Sequence, residues 1–284
     1  MHKRFFVFNI PLIYFACSFL LVASFTYGQS TWKRIENSSL SQFPSPLVKE
    51  HYYERITTEN RGQTSKSELS FLDTIILPNE KGEDELFLIQ PVQVLSSSIS
   101  SKYRNIQTYR GHSKSRPGVK VRLSTHFSNI NAWVQLPGEE DLFIQPVKSK
   151  TNKHFVYQKT KNDRVQEFLC KTLEENIERK LLKKSSKEAK LNNELRVFRI
   201  AIAGTAEYTS YWGDDDPSNG TNAEDAFAAV VSTINRINQV FEDEVGIRLE
   251  LVSDASLLYE DPATDPFSGN FSSELQSTID QEID

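Results

Sequence analysis

The feature that most constrains this chain is a change of hydrophobic period within 58 residues, Leu195 to Val252. Leu195 to Gly204 is an apolar run centred on Ile200-Ala201-Ile202-Ala203, the pattern of a buried strand. Gly213 to Asn222 is an acidic loop. A helix is predicted next, with Thr221 or Asn222 as N-cap and Glu224 and Asp225 in the first turn, where the helix dipole favours carboxylates. Its apolar residues Phe227, Val230, Val231, Ile234, Ile237, Phe241 and Val245 recur at spacings of three and four. Gly246 takes the C-terminal cap position, and Ile247 to Val252 alternates as a second strand. Strand, helix, strand at this length forms a βαβ unit, with parallel strands and a right-handed crossover. Ile200, Ile202 and Leu249 are expected to need elements beyond the unit to cover them.

Upstream the pattern differs. Short β-prone runs at Phe71–Leu77, Glu85–Leu95, Val119–Ser124, Asn131–Leu136, Asp141–Val147 and Phe155–Gln158 are separated by turn signals such as Arg116-Pro117-Gly118 and Pro137-Gly138. They predict a small antiparallel domain over 66–160. Its histidines, His112, His126 and His154, are isolated in sequence and are expected to be surface or packed residues. Residues 29–65 are polar and predict little structure. Residues 161–194 are charged and helix-prone, with a basic stretch at 178–190 that predicts an exposed linker open to proteases.

Charge divides the chain near the same place. Residues 191–284 carry 19 acidic and 4 basic residues, whereas 1–190 carry 29 basic and 19 acidic. Opposite charge on two halves either favours their docking or reflects two units of different composition. The first residues form a leader: Lys3 and Arg4 precede an apolar run, and Thr26-Tyr27-Gly28 offers small residues for cleavage after Gly28. Pro11 and Asn9 weaken the alternative of a retained anchor. The leader therefore predicts a secreted, extracellular protein. Cys17 lies within it, so Cys170 cannot form a disulfide inside the mature chain.

The run Leu195-Arg196-Val197-Phe198-Arg199-Ile200-Ala201-Ile202-Ala203-Gly204-Thr205-Ala206-Glu207-Tyr208-Thr209, the helix segment Ala228 to Asn238, and Glu242 to Val252 together resemble the opening of a reprolysin-type (adamalysin-like) catalytic domain, of the metzincin zinc metallopeptidases. Ile76-Leu77-Pro78-Asn79, Tyr103 to Gly111, Val121-Arg122-Leu123-Ser124 and Phe143-Ile144-Gln145-Pro146 resemble the pro-region of the same family. The resemblance implies an α+β chain: a signal peptide (1–28), a polar leading segment (29–65), a β-rich antiparallel propeptide (66–160), a basic linker (161–194), and the first βαβ unit of an α/β catalytic domain (195–284). It implies a precursor of a zinc metalloendopeptidase that hydrolyses peptide bonds with zinc-activated water. The family's H-E-x-x-H-x-x-G-x-x-H motif is absent, and no histidine follows His154. The motif is thus expected beyond residue 284, the chain as given being incomplete and inactive.

Two features could still carry chemistry. Cys170 lies upstream of the first catalytic strand, where related propeptides place a thiolate on the zinc; the alternative is a half-buried free thiol. Asp214-Asp215-Asp216 could bind calcium but lacks an EF-hand pattern and fits a solvated acidic loop better. Glu207 is either a cation ligand or a helix-start carboxylate. The expected cofactor is zinc, in the full-length enzyme and not in these residues. The expected partners are a protein or peptide substrate and the propeptide against the catalytic domain, with no nucleic acid and no membrane after leader cleavage. A rival reading is a secreted or surface binding or inhibitory protein that keeps half a catalytic fold without its chemistry.

Overall fold

The computed structural model describes residues 32–36, 48–56, 73–148, 152–159, 195–269 and 271–282. The leader and the whole 161–194 linker, Cys170 included, lie outside them.

Nine strands build one antiparallel sheet: β1 (Trp32–Ile35), β2 (Val48–Arg55), β3 (Asp73–Pro78), β4 (Asp84–Pro91), β5 (Ile106–Ser113), β6 (Lys120–His126), β7 (Asn129–Gln135), β8 (Leu142–Pro146) and β9 (Lys153–Lys159). Their order is β1-β2-β9-β8-β7-β6-β5-β4-β3, a meander from β3 to β9 to which the first two strands are added. The β3–β4 hairpin turns on Asn79, whose Oδ1 accepts the backbone N–H of Lys81 and Glu83, each at 2.9 Å. Gly82 supplies the positive φ of +81° that this turn requires.

Alternation along the strands separates two faces. Val121, Leu123, Ile130, Ala132, Val134 and Ile144 from the middle strands share one core with Trp32 and Tyr53 near one edge and Leu77 and Phe87 near the other. Two edges that feed one core require the sheet to curl into a half-barrel. Trp32 fastens the curl by donating its indole N–H to the Ile76 carbonyl at 2.8 Å. The opposite, outer face is polar and aromatic. It carries Arg122, Ser124 and His126 of β6 and a stacked row, Trp133 over Phe143 over Tyr157.

Strands β1 and β2 fall within 29–65, where the sequence promised little structure. Their charged residues dilute the apolar signal. Pairing of β2 with β9 over seven residues and of β1 with β2, and burial of Trp32, Tyr52 and Tyr53, make them strands nonetheless. The helix α1 (Ser97–Lys102) lies just past the run assigned to a strand ending at Leu95, and β4 stops at Pro91.

The later segment contains β10 (Arg196–Ile200), α2 (Ala206–Trp212), α3 (Asn222–Val245), β11 (Ile247–Leu251), a 3-10 turn at Ala255–Leu257 and α4 (Phe271–Glu282). β10 and β11 pair in parallel, as the βαβ pattern requires. Thr221 is the N-cap of α3 in a full capping box with Glu224, and Gly246 closes the helix at φ +64°. β10 ends at Ile200, four residues before the apolar run does. Beyond it Ser253 replaces a strand: its hydroxyl accepts from Ile202 N at 2.8 Å and donates to Ile202 O at 2.9 Å. Ile200, Ile202 and Leu249 are partly buried and pack against a core formed with the first half of the chain. The large apolar side chains left exposed are others, among them Val197 and Phe198 on β10 and Val245 at the end of α3.

Candidate functional site

Helix α3 lies on the outer face of the half-barrel, over β5 and β6. One part of the seam is apolar. Val94, Leu95, Ile99, Tyr103 and Ile106 of the first half form a single cluster with Phe227, Val230, Val231, Ile234, Leu251 and Leu258 of the second. Leu95 also bridges to Leu251 as a parallel neighbour, with Leu251 N donating to Val94 O at 2.7 Å and Ser96 N donating to Leu251 O at 3.0 Å. Residues 94–96 thereby cover the edge of β11.

The rest of the seam is charged, and it joins the basic half to the acidic one. Arg122 and Arg110 of the sheet both reach Glu242 of α3, at 2.6 and 3.4 Å, while Arg248 holds its other oxygen at 2.7 Å. Lys120 pairs with Asp243 and Lys102 with Asp254, each at 2.8 Å. The last two have exposed lysines and add little. Arg122 and Glu242 are almost wholly buried. The arginines hold the Glu242 carboxyl below its usual pKa against the opposing effect of burial, which is the largest influence on it. Neutral groups fix the register. Asn235 Nδ2 donates to Leu123 O at 2.9 Å. Ser232 Oγ donates to Ala228 O, which leaves the Ser124 hydroxyl as donor in their 2.5 Å contact. Arg236 lies 5.7 Å from the Phe143 ring centre, and its guanidinium donates to Gln145, whose amide oxygen accepts both Nη groups at 3.2 Å.

At the N-terminal end of α3 the seam opens into a cavity of about 550 Å³, lined by His126 and Asn129 of the sheet side and by Trp212, Asp214, Asn219 and Asp225 of the other. The sequence-predicted acidic loop forms one wall. Asp214 accepts from Asp216 N and Asn219 Nδ2, each at 2.9 Å, and Asp216 accepts from Ser218 N at 3.0 Å. These carboxylates fold the loop onto itself, and among the described residues no group of three His, Cys, Asp or Glu side chains could hold a metal ion. The calcium alternative for Asp214-Asp215-Asp216 gains no support. Asp225 differs: burial, then the charge of Asp214, pushes its pKa up to about 7. His126 Nδ1 lies 3.7 Å from Asp225 Oδ1, too far for a hydrogen bond, and burial lowers the imidazole pKa.

The histidines are packed residues in two cases. His154 is fully buried and accepts the Ile130 N–H, and His126 is buried at the cavity. His112 is partly exposed. Glu207 stands in the first turn of α2, behind the Thr205 cap, as a helix-start carboxylate. Sequence reasoning missed Arg122, Glu242 and Arg236. The available signal was Arg122 between the apolar Val121 and Leu123 of β6, and Arg236 beside the apolar stripe of α3.

Residues 194–283 match the model of the metallo-peptidase family M12B, reprolysin-like. The match covers the last third of the chain and supports a reprolysin-like, zinc-dependent metallopeptidase family for that segment. No curated protein matches the chain. The described residues do not fit a catalytic zinc, since no group of three metal-ligating side chains converges among them.

Proposed function

We propose that this chain is the latent front part of a secreted zinc metalloendopeptidase, with the half-barrel as propeptide and residues 195–284 as the start of the catalytic domain. The observation that carries the reading is the seam, in which the sheet covers α3 and the β11 edge of the reprolysin-like segment with buried ion pairs and a shared apolar core. A surface so closely complementary suits a propeptide that folds and restrains the domain it precedes. The zinc motif is not in residues 1–284, so hydrolysis belongs to a protein that supplies it elsewhere. Cys170 is proposed as a thiolate ligand of that zinc before processing, and the basic stretch 178–190 as the processing site.

Sequencing the N-termini of the secreted species tests this. A precursor beginning at Gln29 and a mature form beginning between Lys180 and Arg196 are expected. Cys170→Ser in the full protein should speed self-processing without loss of fold, because a hydroxyl binds zinc far more weakly than a thiolate. A mature chain that begins upstream of Cys170 would sink the switch. Chelator-sensitive casein cleavage by the 284-residue chain alone would overturn the placement of the zinc motif elsewhere.

A further inference from the structure

We propose that the cavity bounded by His126, Asp214 and Asp225 binds a donor-rich organic cation, an ammonium or guanidinium group on an apolar stem of the kind a lysine or arginine side chain presents. The proposal holds whether or not the protein is a peptidase. It rests on the chemistry of the lining, which offers acceptors and aromatic walls. Asp225 Oδ2 accepts from Asp214 N at 3.2 Å, which sets the two acidic residues side by side at the cavity. Asn219 Oδ1 is buried without a protein donor. The His126 side chain is only 9% exposed, and its Nε2 has no protein partner. Two acidic side chains at one space match a group with several N–H donors, and the adjoining Trp212, Tyr211 and Phe127 supply ring faces for the stem. Phe127 sits at φ +51°, an uncommon conformation for a phenylalanine, at the cavity wall. A bare metal ion fits poorly. The space is far larger than an ion, and no set of three metal-ligating side chains converges there among the described residues.

Burial and the charge of Asp214 raise the Asp225 pKa, and a bound cation favours the ionised carboxylate, so affinity should depend on pH. The other charged groups near the site are Asp216 and Glu224, which add negative potential, and Lys148, whose Nζ donates to the carbonyls of Ser210 and Tyr211 at the end of α2.

Calorimetric titration of the 284-residue chain with N-acetyl-arginine amide, and separately with an arginine-containing hexapeptide, tests the proposal. N-acetyl-leucine amide and calcium serve as controls. Saturable binding of an arginine ligand is expected, about tenfold tighter at pH 8 than at pH 6 as Asp225 loses its proton. Binding of the amide assigns the site to small cations, and binding of the peptide alone assigns it to a side chain of a polypeptide. Asp225→Asn should weaken binding at least tenfold and abolish the pH dependence, with circular dichroism confirming the fold. His126→Gln should weaken it while leaving the pH dependence intact. Equal binding of the leucine amide, calcium binding lost in Asp225→Asn, or no saturation by either arginine ligand in the millimolar range would overturn the assignment.

Discussion

Arg122 of the sheet and Glu242 of helix α3 form a 2.6 Å ion pair whose side chains are 2% and 6% exposed, although 120 residues separate them in sequence. The two ends of this pair are not equivalent. Glu242 has Arg110 and Arg248 in reserve, whereas among the described residues Arg122 has beside it the amide oxygens of Gln239 and Asn235. Glu242→Ala should therefore cost about 3–5 kcal/mol, the range for stranding one charge of a buried pair, and Arg122→Met clearly less. Urea denaturation of both variants checks this, and equal losses would show that Arg122 does not depend on Glu242.

The buried His154 sets an acid limit on stability. It is neutral in the fold, with Nε2 accepting from Ile130 N at 3.1 Å and Nδ1 directed at Asn152 O at 3.3 Å. Burial lowers its pKa from the ordinary 6.5 to about 4. Between those values the unfolded chain binds more protons than the folded one. This residue's contribution is thus present above pH 6.5 and is lost as pH falls toward 4, by about 3 kcal/mol. Asp225 acts in the opposite sense, because its folded pKa of about 7 lies above the ordinary 3.8, so its contribution is lost as pH rises across that interval. Denaturation midpoints from pH 4 to 8 should show His154→Gln flattening the acid limb and Asp225→Asn raising stability at pH 8.

Closure of the curl depends on Trp32. Trp32→Phe keeps most of the apolar bulk but leaves the Ile76 carbonyl without its indole donor, a loss of at least about 1 kcal/mol. Deleting residues 1–36 removes β1 and should expose the core at Tyr53 and Leu77, measurable as increased binding of a hydrophobic dye. Unchanged dye binding would mean that the half-barrel holds its shape without its first strand.

Gly111 in β5 lies against the neighbouring strand, where an added Cβ would collide with the Leu88 carbonyl oxygen and press on Ile89. Gly111→Ala should force β4 and β5 apart at a cost of roughly 1–3 kcal/mol, whereas Gly138→Ala meets no neighbour and is strained only by its φ of +81°. Thermal unfolding of the two variants separates crowding from backbone strain.

The sequence carries what local chemistry dictates. Gly246 with its left-handed cap, Thr221 with its capping box and the 3.6 period of Phe227 to Ile234 marked α3 closely, and turn residues marked six of the nine sheet strands. It does not carry what only the partner surface decides. Strand β2 reads Val-Lys-Glu-His-Tyr-Tyr-Glu-Arg and becomes a strand because β9 offers it a ladder. Phe241 and Val245 continue the apolar spacing of α3 yet remain 39% and 60% exposed, although Glu242 between them is held to the sheet by Arg122. The charge asymmetry foretold attraction between the halves but not its focus on Glu242. The cavity at His126 was illegible because its walls come from segments about 100 residues apart.

The link between Leu95 and Leu251 has a kinetic meaning. The nearby Lys102–Asp254 pair spans 152 residues of chain, so closing this loop early carries a large entropic cost for few contacts. The meander from β3 to β9, by contrast, is stitched by hairpins between sequence neighbours. The β3–β9 meander is therefore expected to assemble first, with the 94–96 segment then offering the edge on which β11, and through it β10, settles into register.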